Sequence, residues 1–245
     1  MTSTPPDRIG AVPAIPYAFP LNRAISPATT ALIVIDVQGD FCAEGGYMAG
    51  FGFDLTALRK PIPRIRELLE ACREHGITIC HTRETFSADL SDVQPHRLWR
   101  GADGKGVAVG DSGPNGRYLI RGEACWDIVP EVAPLPGERI FDKPSYGAFA
   151  TTDLDAYLRE QGIRDLIFAG LTTDCCIHTT VREALDRGYD TLTVSDATAA
   201  GTEDVHEAAL RLLVKKSGVF GAVADTAAVL GAIRNVANVN AASPS

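Results

Sequence analysis

The stretch that decides the fold is Asp165-Leu-Ile-Phe-Ala-Gly-Leu-Thr-Thr-Asp-Cys-Cys-Ile-His-Thr-Thr-Val-Arg-Glu-Ala-Leu185. It opens with a short apolar run, which is typical of a strand buried on both faces. A polar turn follows, and Ile177, Val181 and Ala184 then recur at helical spacing until Gly188. A buried strand that leads through a tight turn into a helix is the unit of a parallel sheet covered by helices.

The same alternation of apolar runs and helical periods recurs on both sides of this stretch. Helices are predicted between the runs, for example after Pro61 and Pro63 as far as Gly76. We therefore predict an α/β fold of three layers: a doubly wound, mainly parallel six-stranded sheet with right-handed crossovers. The predicted strands are residues 31–35, 77–81, 139–141, 165–169, 191–194 and 219–223.

Length and composition predict one compact domain. The chain has 245 residues, 45% of them hydrophobic, which suffices for a core without disulfides or a structural metal. We predict a proline-rich arm over residues 1–29, a single compact domain over 30–236 and a flexible tail over 237–245. Residues 83–137 show neither period clearly, and a loop of that length is expected to be a covering segment with short helical turns over the site.

Charge and hydropathy exclude several classes of partner. The chain carries 23 Lys and Arg against 31 Asp and Glu, a net charge of -8, which disfavours binding to nucleic acid or to an anionic membrane. A membrane-spanning helix or a signal peptide would need a longer apolar run than the sequence contains, so a cytoplasmic protein is expected. Its six cysteines are therefore expected to be free thiols. These properties favour chemistry on a small molecule.

Three reactive residue types follow three of the predicted strands. Asp36 comes directly after the first strand, Lys143 after the third, and Cys176 lies on the turn after the fourth. Because the carboxyl ends of parallel strands meet at one edge of a sheet, an acid, a base and a thiol are expected to converge there.

Each of these residues also has a plainer interpretation. Cys176 lies in the first turn of a helix, where the helix dipole and Lys143 would stabilise a thiolate, but it could equally be a buried apolar thiol. Asp36 could brace a loop, and Lys143 could be a solvated cation. Cys175 is expected to be a core residue, with a strained disulfide to Cys176 as a further alternative.

Nucleotide, metal and histidine chemistry find little support. The loop after residue 35 has neither a Gly-x-Gly-x-x-Gly pattern nor a P-loop. The five histidines are scattered without the spacing of metal ligands, so we expect no metal and no cofactor. His81 lies within a strand pattern and His178 two residues beyond the thiol, which favours structural roles for both.

Three motifs in order resemble one family. They are Leu-Ile-Val-Ile-Asp-Val-Gln at residues 32–38, Asp-Lys-Pro-Ser-Tyr-Gly-Ala-Phe at 142–149 and Gly-Leu-Thr-Thr-Asp-Cys-Cys at 170–176. The chain resembles the isochorismatase-like cysteine hydrolase superfamily. That resemblance implies a catalytic triad of Asp36, Lys143 and Cys176. It also implies a cis peptide bond between Leu171 and Thr172, and an oxyanion hole formed by the backbone N–H groups of Thr172 and Cys176.

Within the superfamily the chain looks most like biuret hydrolases. The resemblance implies hydrolysis of a C–N bond in a linear ureide such as biuret or triuret, with ammonia release through a thioester and without a cofactor. It suggests Phe41, Arg83 and Tyr146 as substrate contacts, and a homotetramer as the assembly.

Two alternatives remain. Lys215 and Lys216 stand where biuret hydrolases tend to have a glutamine, which suits a ureidoacrylate or another carboxylate-bearing amide. The other alternative is a catalytically silent binding or assembly module.

Overall fold

The computed structural model describes residues 10–102 and 106–241, and within them a six-stranded sheet runs through the centre. The strands in chain order are β1 (Thr30–Ile35), β2 (Thr78–Glu84), β3 (Ser112–Gly113), β4 (Gly116–Arg117), β5 (Arg139–Lys143), β6 (Asp165–Leu171), β7 (Asp190–Ala199) and β8 (Ala222–Ala224). The central sheet has the order β5-β2-β1-β6-β7-β8, and its neighbours all pair in parallel. The predicted α/β fold with a parallel six-stranded sheet is confirmed.

Helices cover the sheet on both faces. They are α1 (Gly39–Cys42), α2 (Tyr47–Gly50), α3 (Leu55–Arg59), α4 (Ile62–Glu74), α5 (Pro95–Ala102), α6 (Leu154–Glu160), α7 (His178–Asp186), α8 (Glu203–Gly218) and α9 (Thr226–Ala241), with a 3-10 turn at Pro130–Val132 and a π-helical turn at Thr173–Ile177. In the part of the chain that the structure describes, no helix is long and apolar enough to cross a bilayer.

The hydrophobic core forms two layers, one on each side of the sheet. Because side chains of a strand alternate between faces, Leu32 and Val34 of β1 pack into one layer with α4 and α9. Ala31, Ile33 and Ile35 pack into the other layer with α6 and α7. All of β1 is therefore buried, which explains its continuous apolar sequence.

Two predicted boundaries are wrong at the carboxyl end of the chain. The last strand was expected at residues 219–223 but occupies Ala222–Ala224, because Gly218 and Gly221 adopt left-handed backbone angles and Val219 between them is half exposed. The flexible tail was expected over residues 237–245, whereas α9 continues to Ala241, and residues 242–245 lie outside the described residues. No glycine or proline interrupts the chain between residues 232 and 241, so nothing in the sequence stops the helix earlier.

The described part of the predicted arm, residues 10–29, packs against the domain. Val12 forms an antiparallel bridge with Phe19, and Ile15 forms one with Val223 of β8, at the edge of the central sheet. The side chains of Phe19 and Ile25 are buried in the core layer that contains α4. Residues 1–9 of the predicted arm lie outside the described residues. This segment is therefore wrapped around the domain from residue 10 onward.

The segment between β2 and β5 contains α5, the small β3–β4 hairpin and the 3-10 turn. Asp40 anchors it, because its carboxylate accepts hydrogen bonds from the backbone N–H groups of Tyr47 and Leu119. Phe86 and Leu119 are joined by a further backbone hydrogen bond. The expected covering segment with short helical elements is present, with an additional hairpin that the sequence pattern did not reveal.

Candidate active site

Asp36 lies directly beyond β1 at the carboxyl edge of the sheet. Its backbone has φ 49°, a left-handed conformation that asparagine and aspartate tolerate better than most residues. Its carboxylate is fully buried: one oxygen accepts a hydrogen bond from the Thr82 hydroxyl at 2.6 Å, and the other forms an ion pair with the Lys143 ammonium at 2.7 Å. The bend at the strand end thus turns the carboxylate toward β2 and β5.

Lys143 and Glu84 face this carboxylate because of the register between β2 and β5. The two residues are directly paired in the parallel ladder, and paired residues of neighbouring strands project on the same side of the sheet. The Lys143 ammonium lies 3.7 Å from Glu84 Oε2, and both side chains are buried. Gln38 fixes the end of β2, since its amide oxygen accepts the Glu84 N–H and its amide nitrogen donates to the Glu84 carbonyl.

Cys176 reaches the same cluster from the turn after β6. It lies in the π-helical turn Thr173–Ile177 that precedes α7, an irregularity that is frequent at functional sites. Its side chain is buried, and its thiol donates a hydrogen bond to Glu84 Oε2 at 3.3 Å. One oxygen of Asp36, one oxygen of Glu84 and the Cys176 sulfur lie within 4.8 Å of one another. The predicted convergence of Asp36, Lys143 and Cys176 is therefore present.

The turn that carries the thiol requires close approach between β1 and β6. Gly170 has φ 117°, and a Cβ atom there would lie 2.1 Å from the Ile35 carbonyl oxygen, so only glycine fits. The Leu171–Thr172 peptide bond is cis, as the resemblance predicts. The Thr172 carbonyl accepts the N–H groups of Cys175 and Ile177. The backbone N–H groups of Thr172 and Cys176 lie in this same turn.

The electrostatics of the cluster correct one expectation. The side-chain interaction with Cys175 and burial raise the pKa of the Cys176 thiol well above its ordinary value, and the attraction of Lys143 does not offset them. This direction favours a protonated thiol at rest over the thiolate that the sequence suggested. Burial also raises the pKa of Asp36. Burial opposes the charge of Lys143, but Asp36, Cys176 and Glu84 outweigh it and raise its pKa.

Arg83 does not occupy the position predicted for it. Its neighbour in the ladder is Asp142, and the two project on the opposite side of the sheet from Glu84 and Lys143. The Arg83 guanidinium pairs with Asp142 at 2.7 Å and with Asp127 at 2.8 Å. Both carboxylates neutralise the Arg83 guanidinium on the side of the sheet opposite Glu84 and Lys143. This geometry favours a structural role for Arg83 over the predicted substrate contact.

The other predicted contacts have different surroundings. Phe41 is buried and packs in the hydrophobic cluster that contains α4, and its role as a substrate contact stays a prediction. Tyr146 is half buried and lies beneath the guanidinium of Arg97, 3.8 Å from its ring centroid. Lys215 and Lys216 are exposed on irregular backbone at the end of α8.

Reasoning from the sequence did not assign two residues of the buried cluster to the site. Glu84 follows the second predicted strand, and pairing it with Lys143 across the ladder would have identified it. Arg97 lies on α5 in the covering segment, where it donates a hydrogen bond to Glu84. No periodicity in residues 83–137 pointed to Arg97, because its position depends on how that segment folds back over the sheet.

The acidic groups do not form a fitting metal site. Asp36, Glu84 and Cys176 together offer three ligand atoms in the described part of the chain. The Lys143 ammonium already contacts both carboxylates, at 2.7 and 3.7 Å, and its charge would repel a divalent ion at that position. The carboxylates of Asp36 and Glu84 instead neutralise the buried ammonium group of Lys143.

Comparison with known proteins agrees with the motifs and the fold. The family model described as the isochorismatase domain matches residues 30–228.

The chain belongs to the isochorismatase family.

Among curated relatives, ureidoacrylate amidohydrolase RutB of Methylobacterium radiotolerans is 32% identical over 221 residues, covering 88% of this chain and 84% of that protein. A RutB of Methylorubrum extorquens is 33% identical over 234 residues, covering 94% of this chain and 92% of that protein. A solved structure of a cysteine hydrolase from Pseudomonas syringae pv. phaseolicola superposes with a TM-score of 0.72 at 28% identity, covering 86% of this chain and 94% of that one.

Proposed function

We propose that this member of the isochorismatase family is a cysteine amidohydrolase. Its proposed substrate is a small ureide that carries a carboxylate, and it hydrolyses a C–N bond of the ureide group. The observation that carries this proposal is the buried cluster in which the Cys176 thiol lies beside Asp36, Lys143 and Glu84. The curated relatives named ureidoacrylate amidohydrolase support the carboxylate-bearing substrate over biuret.

The first chemical step is proposed to be attack of Cys176 on the ureide carbonyl. The thiol is protonated at rest, so its proton leaves as the C–S bond forms. Asp36 is the proposed acceptor, because its carboxylate lies within 4.8 Å of the Cys176 sulfur and pairs with Lys143, while Glu84 holds the thiol hydrogen in the resting state. Lys143 balances the charge of both carboxylates throughout. The proposed roles of these residues thus follow their contacts.

The remaining steps return the proton and release the product. The negative charge that develops on the carbonyl oxygen is stabilised by the backbone N–H groups of Thr172 and Cys176, the proposed oxyanion hole. Protonated Asp36 gives its proton to the departing nitrogen, and ammonia leaves. Water then attacks the carbonyl carbon of the resulting S-carbamoyl (thiocarbamate) intermediate with Asp36 again as base, which breaks the C–S bond, releases the N-substituted carbamate and restores the thiol. These steps need no cofactor.

A neutral linear ureide is the second candidate substrate. The sequence motifs at residues 45–47, 81–84, 121–130 and 218–221 are the ones that look most like biuret hydrolases. A direct test measures ammonia release from ureidoacrylate, 3-ureidopropionate, biuret, triuret and nicotinamide, with Cys176→Ala as the control. We expect kcat/KM to be highest for a ureido acid. Higher kcat/KM for biuret would overturn the substrate proposal, and no turnover of any amide would favour a silent binding module.

The assembly is also a proposal. Members of the family commonly form tetramers, and several large apolar side chains are exposed in the described chain, among them Trp99 and Ile15. Light scattering after size exclusion measures the molar mass directly. A mass near four times 26.1 kDa is expected for the homotetramer, and a mass of 26.1 kDa would contradict it.

A further inference from the structure

Arg97 is a buried arginine beside the thiol that the mechanism above does not use. Its side chain is 4% exposed, although it lies on α5 in the covering segment. Its guanidinium lies 3.8 Å from the ring centroid of Tyr146 and 5.1 Å from that of Phe86. Two aromatic faces and the hydrogen bond to Glu84 therefore fix the orientation of this cation.

The two ends of the Arg97 guanidinium have different surroundings. Nη1 donates to Glu84 Oε1 at 2.5 Å. Nη2 is buried and has no hydrogen-bond partner among the residues that the structure describes. Native proteins rarely leave a buried N–H group unsatisfied, and a charged one is especially unfavourable. An unpaired buried guanidinium nitrogen therefore indicates a position where a ligand oxygen completes the site.

Glu84 places this nitrogen close to the reacting atoms. One oxygen of its carboxylate contacts Arg97, while the other contacts the Cys176 thiol and lies 3.7 Å from the Lys143 ammonium. The guanidinium and the nucleophile are thus separated by the width of a single carboxylate. A ureide carbonyl at the thiol would leave the far end of a short substrate within reach of Arg97.

We propose that Arg97 Nη2 binds the carboxylate of the substrate and selects ureido acids over neutral ureides. This inference rests on the proposed function and adds the residue that recognises the acid. Arginine binds carboxylates through charge-assisted hydrogen bonds, which are stronger than those to a neutral carbonyl. Tyr146 acts in this scheme by holding the guanidinium in place.

The test compares two substrates that differ only at the recognised group. One is 3-ureidopropionate, and the other is N-propylurea, in which a methyl group replaces the carboxylate. Arg97→Met is expected to lower kcat/KM for the acid about 10- to 100-fold more than for N-propylurea. Arg97→Lys keeps the charge and is expected to retain part of the preference. Equal losses for both substrates in Arg97→Met would overturn the assignment.

Arg83→Met is the matched control, because Arg83 is paired with Asp142 and Asp127 on the other side of the sheet. It is expected to change kcat/KM for both substrates by the same factor. A loss of preference in Arg83→Met as large as that in Arg97→Met would overturn the assignment to Arg97.

A second measurement does not depend on turnover or on the proposed reaction. Alkylation of Cys176 by iodoacetate and by iodoacetamide is followed by mass spectrometry of the peptide, in the wild type, Arg97→Met and Arg97→Lys. The ratio of the two rates is expected to fall about tenfold in Arg97→Met, since iodoacetate carries the recognised carboxylate. If the ratio of the iodoacetate rate to the iodoacetamide rate is the same in Arg97→Met and the wild type, Arg97 does not bind the carboxylate and the proposal is overturned. If the wild type turns over no ureide, the proposed function fails, and this ratio still decides the role of Arg97.

Discussion

Arg83 and Glu84 are consecutive residues of β2, and Asp142 and Lys143 are consecutive residues of β5, yet the two cross-strand pairs have different surroundings. Arg83 and Asp142 form a partly exposed ion pair on one side of the sheet. Glu84 and Lys143 are buried on the other side, next to Cys176. A shift of one residue along a strand therefore separates a structural ion pair from the candidate catalytic charges.

The largest expected effect separates the two neighbouring cysteines. Cys176→Ala removes the nucleophile and is expected to lower ammonia release at least about 10⁴-fold, whereas Cys175→Ala is expected to stay within about tenfold of wild type. Ammonia release from the best ureide measures both. A larger loss of ammonia release in Cys175→Ala than in Cys176→Ala would contradict the assignment of Cys176 as the nucleophile.

The next effect separates the two carboxylates that face the thiol. Asp36→Asn is expected to lower kcat about 10²- to 10⁴-fold, because the proposed base is lost. Glu84→Gln is expected to lower it only about 10-fold to 100-fold, since Gln still accepts the thiol hydrogen bond but removes a charge next to Lys143. Steady-state kinetics with the same substrate rank the two variants. A larger loss in Glu84→Gln would exchange the two proposed roles.

A smaller effect tests the two sides of the sheet directly. Asp142→Asn removes the carboxylate charge opposite Arg83 and is expected to change kcat less than about threefold, against a loss of about 10-fold or more in Glu84→Gln. Thermal unfolding of both variants checks that each is folded. Comparable losses of kcat in the two folded variants would contradict the separation of the faces.

The last expected effect concerns the pH dependence of thiol alkylation and not the rate of turnover. A raised thiol pKa means that the reactive thiolate is scarce at neutral pH and increases as the pH rises toward that pKa. Alkylation of Cys176 by iodoacetamide is therefore expected to be slower at pH 7 than that of a free cysteine, and to rise about tenfold per pH unit well below the pKa. Cys175→Ala removes the side-chain interaction that contributes most to the raised pKa of Cys176. The rate of alkylation is therefore expected to rise at a lower pH in this variant. A profile that levels off below pH 7 would show a resting thiolate instead.

The parallel sheet and the convergence of Asp36, Lys143 and Cys176 could be predicted from the sequence, because both depend on hydrophobic patterns within single strands and helices. The apolar run ending at Ile35 and the strand-turn-helix around Cys176 carry their own periodicity. The carboxyl ends of parallel strands then bring Asp36, Lys143 and Cys176 to one edge without any further information. Their catalytic roles remain proposals that the variants above test.

The choice between Arg83 and Glu84 needed the register, which the sequence alone did not supply. The second strand was predicted to end at residue 81, so the sequence did not indicate on which face of the sheet the side chains of residues 83 and 84 lie. In the structure β2 extends to Glu84, and the two side chains project on opposite faces. Arg97 could not be predicted at all, because α5 lies in the segment without a clear period. Its position depends on contacts between distant parts of the chain, such as its own contacts with Glu84 and Tyr146.

The backbone bridge between Ile15 and Val223 has a consequence for behaviour at high concentration. It covers part of β8, a strand of only three residues at the end of the sheet, with chain from the amino-terminal segment. Free N–H and C=O groups at such an edge are a template for association with another copy. Removing the amino-terminal segment through Pro20 would uncover that template, so the shortened protein should precipitate sooner on heating than the intact chain.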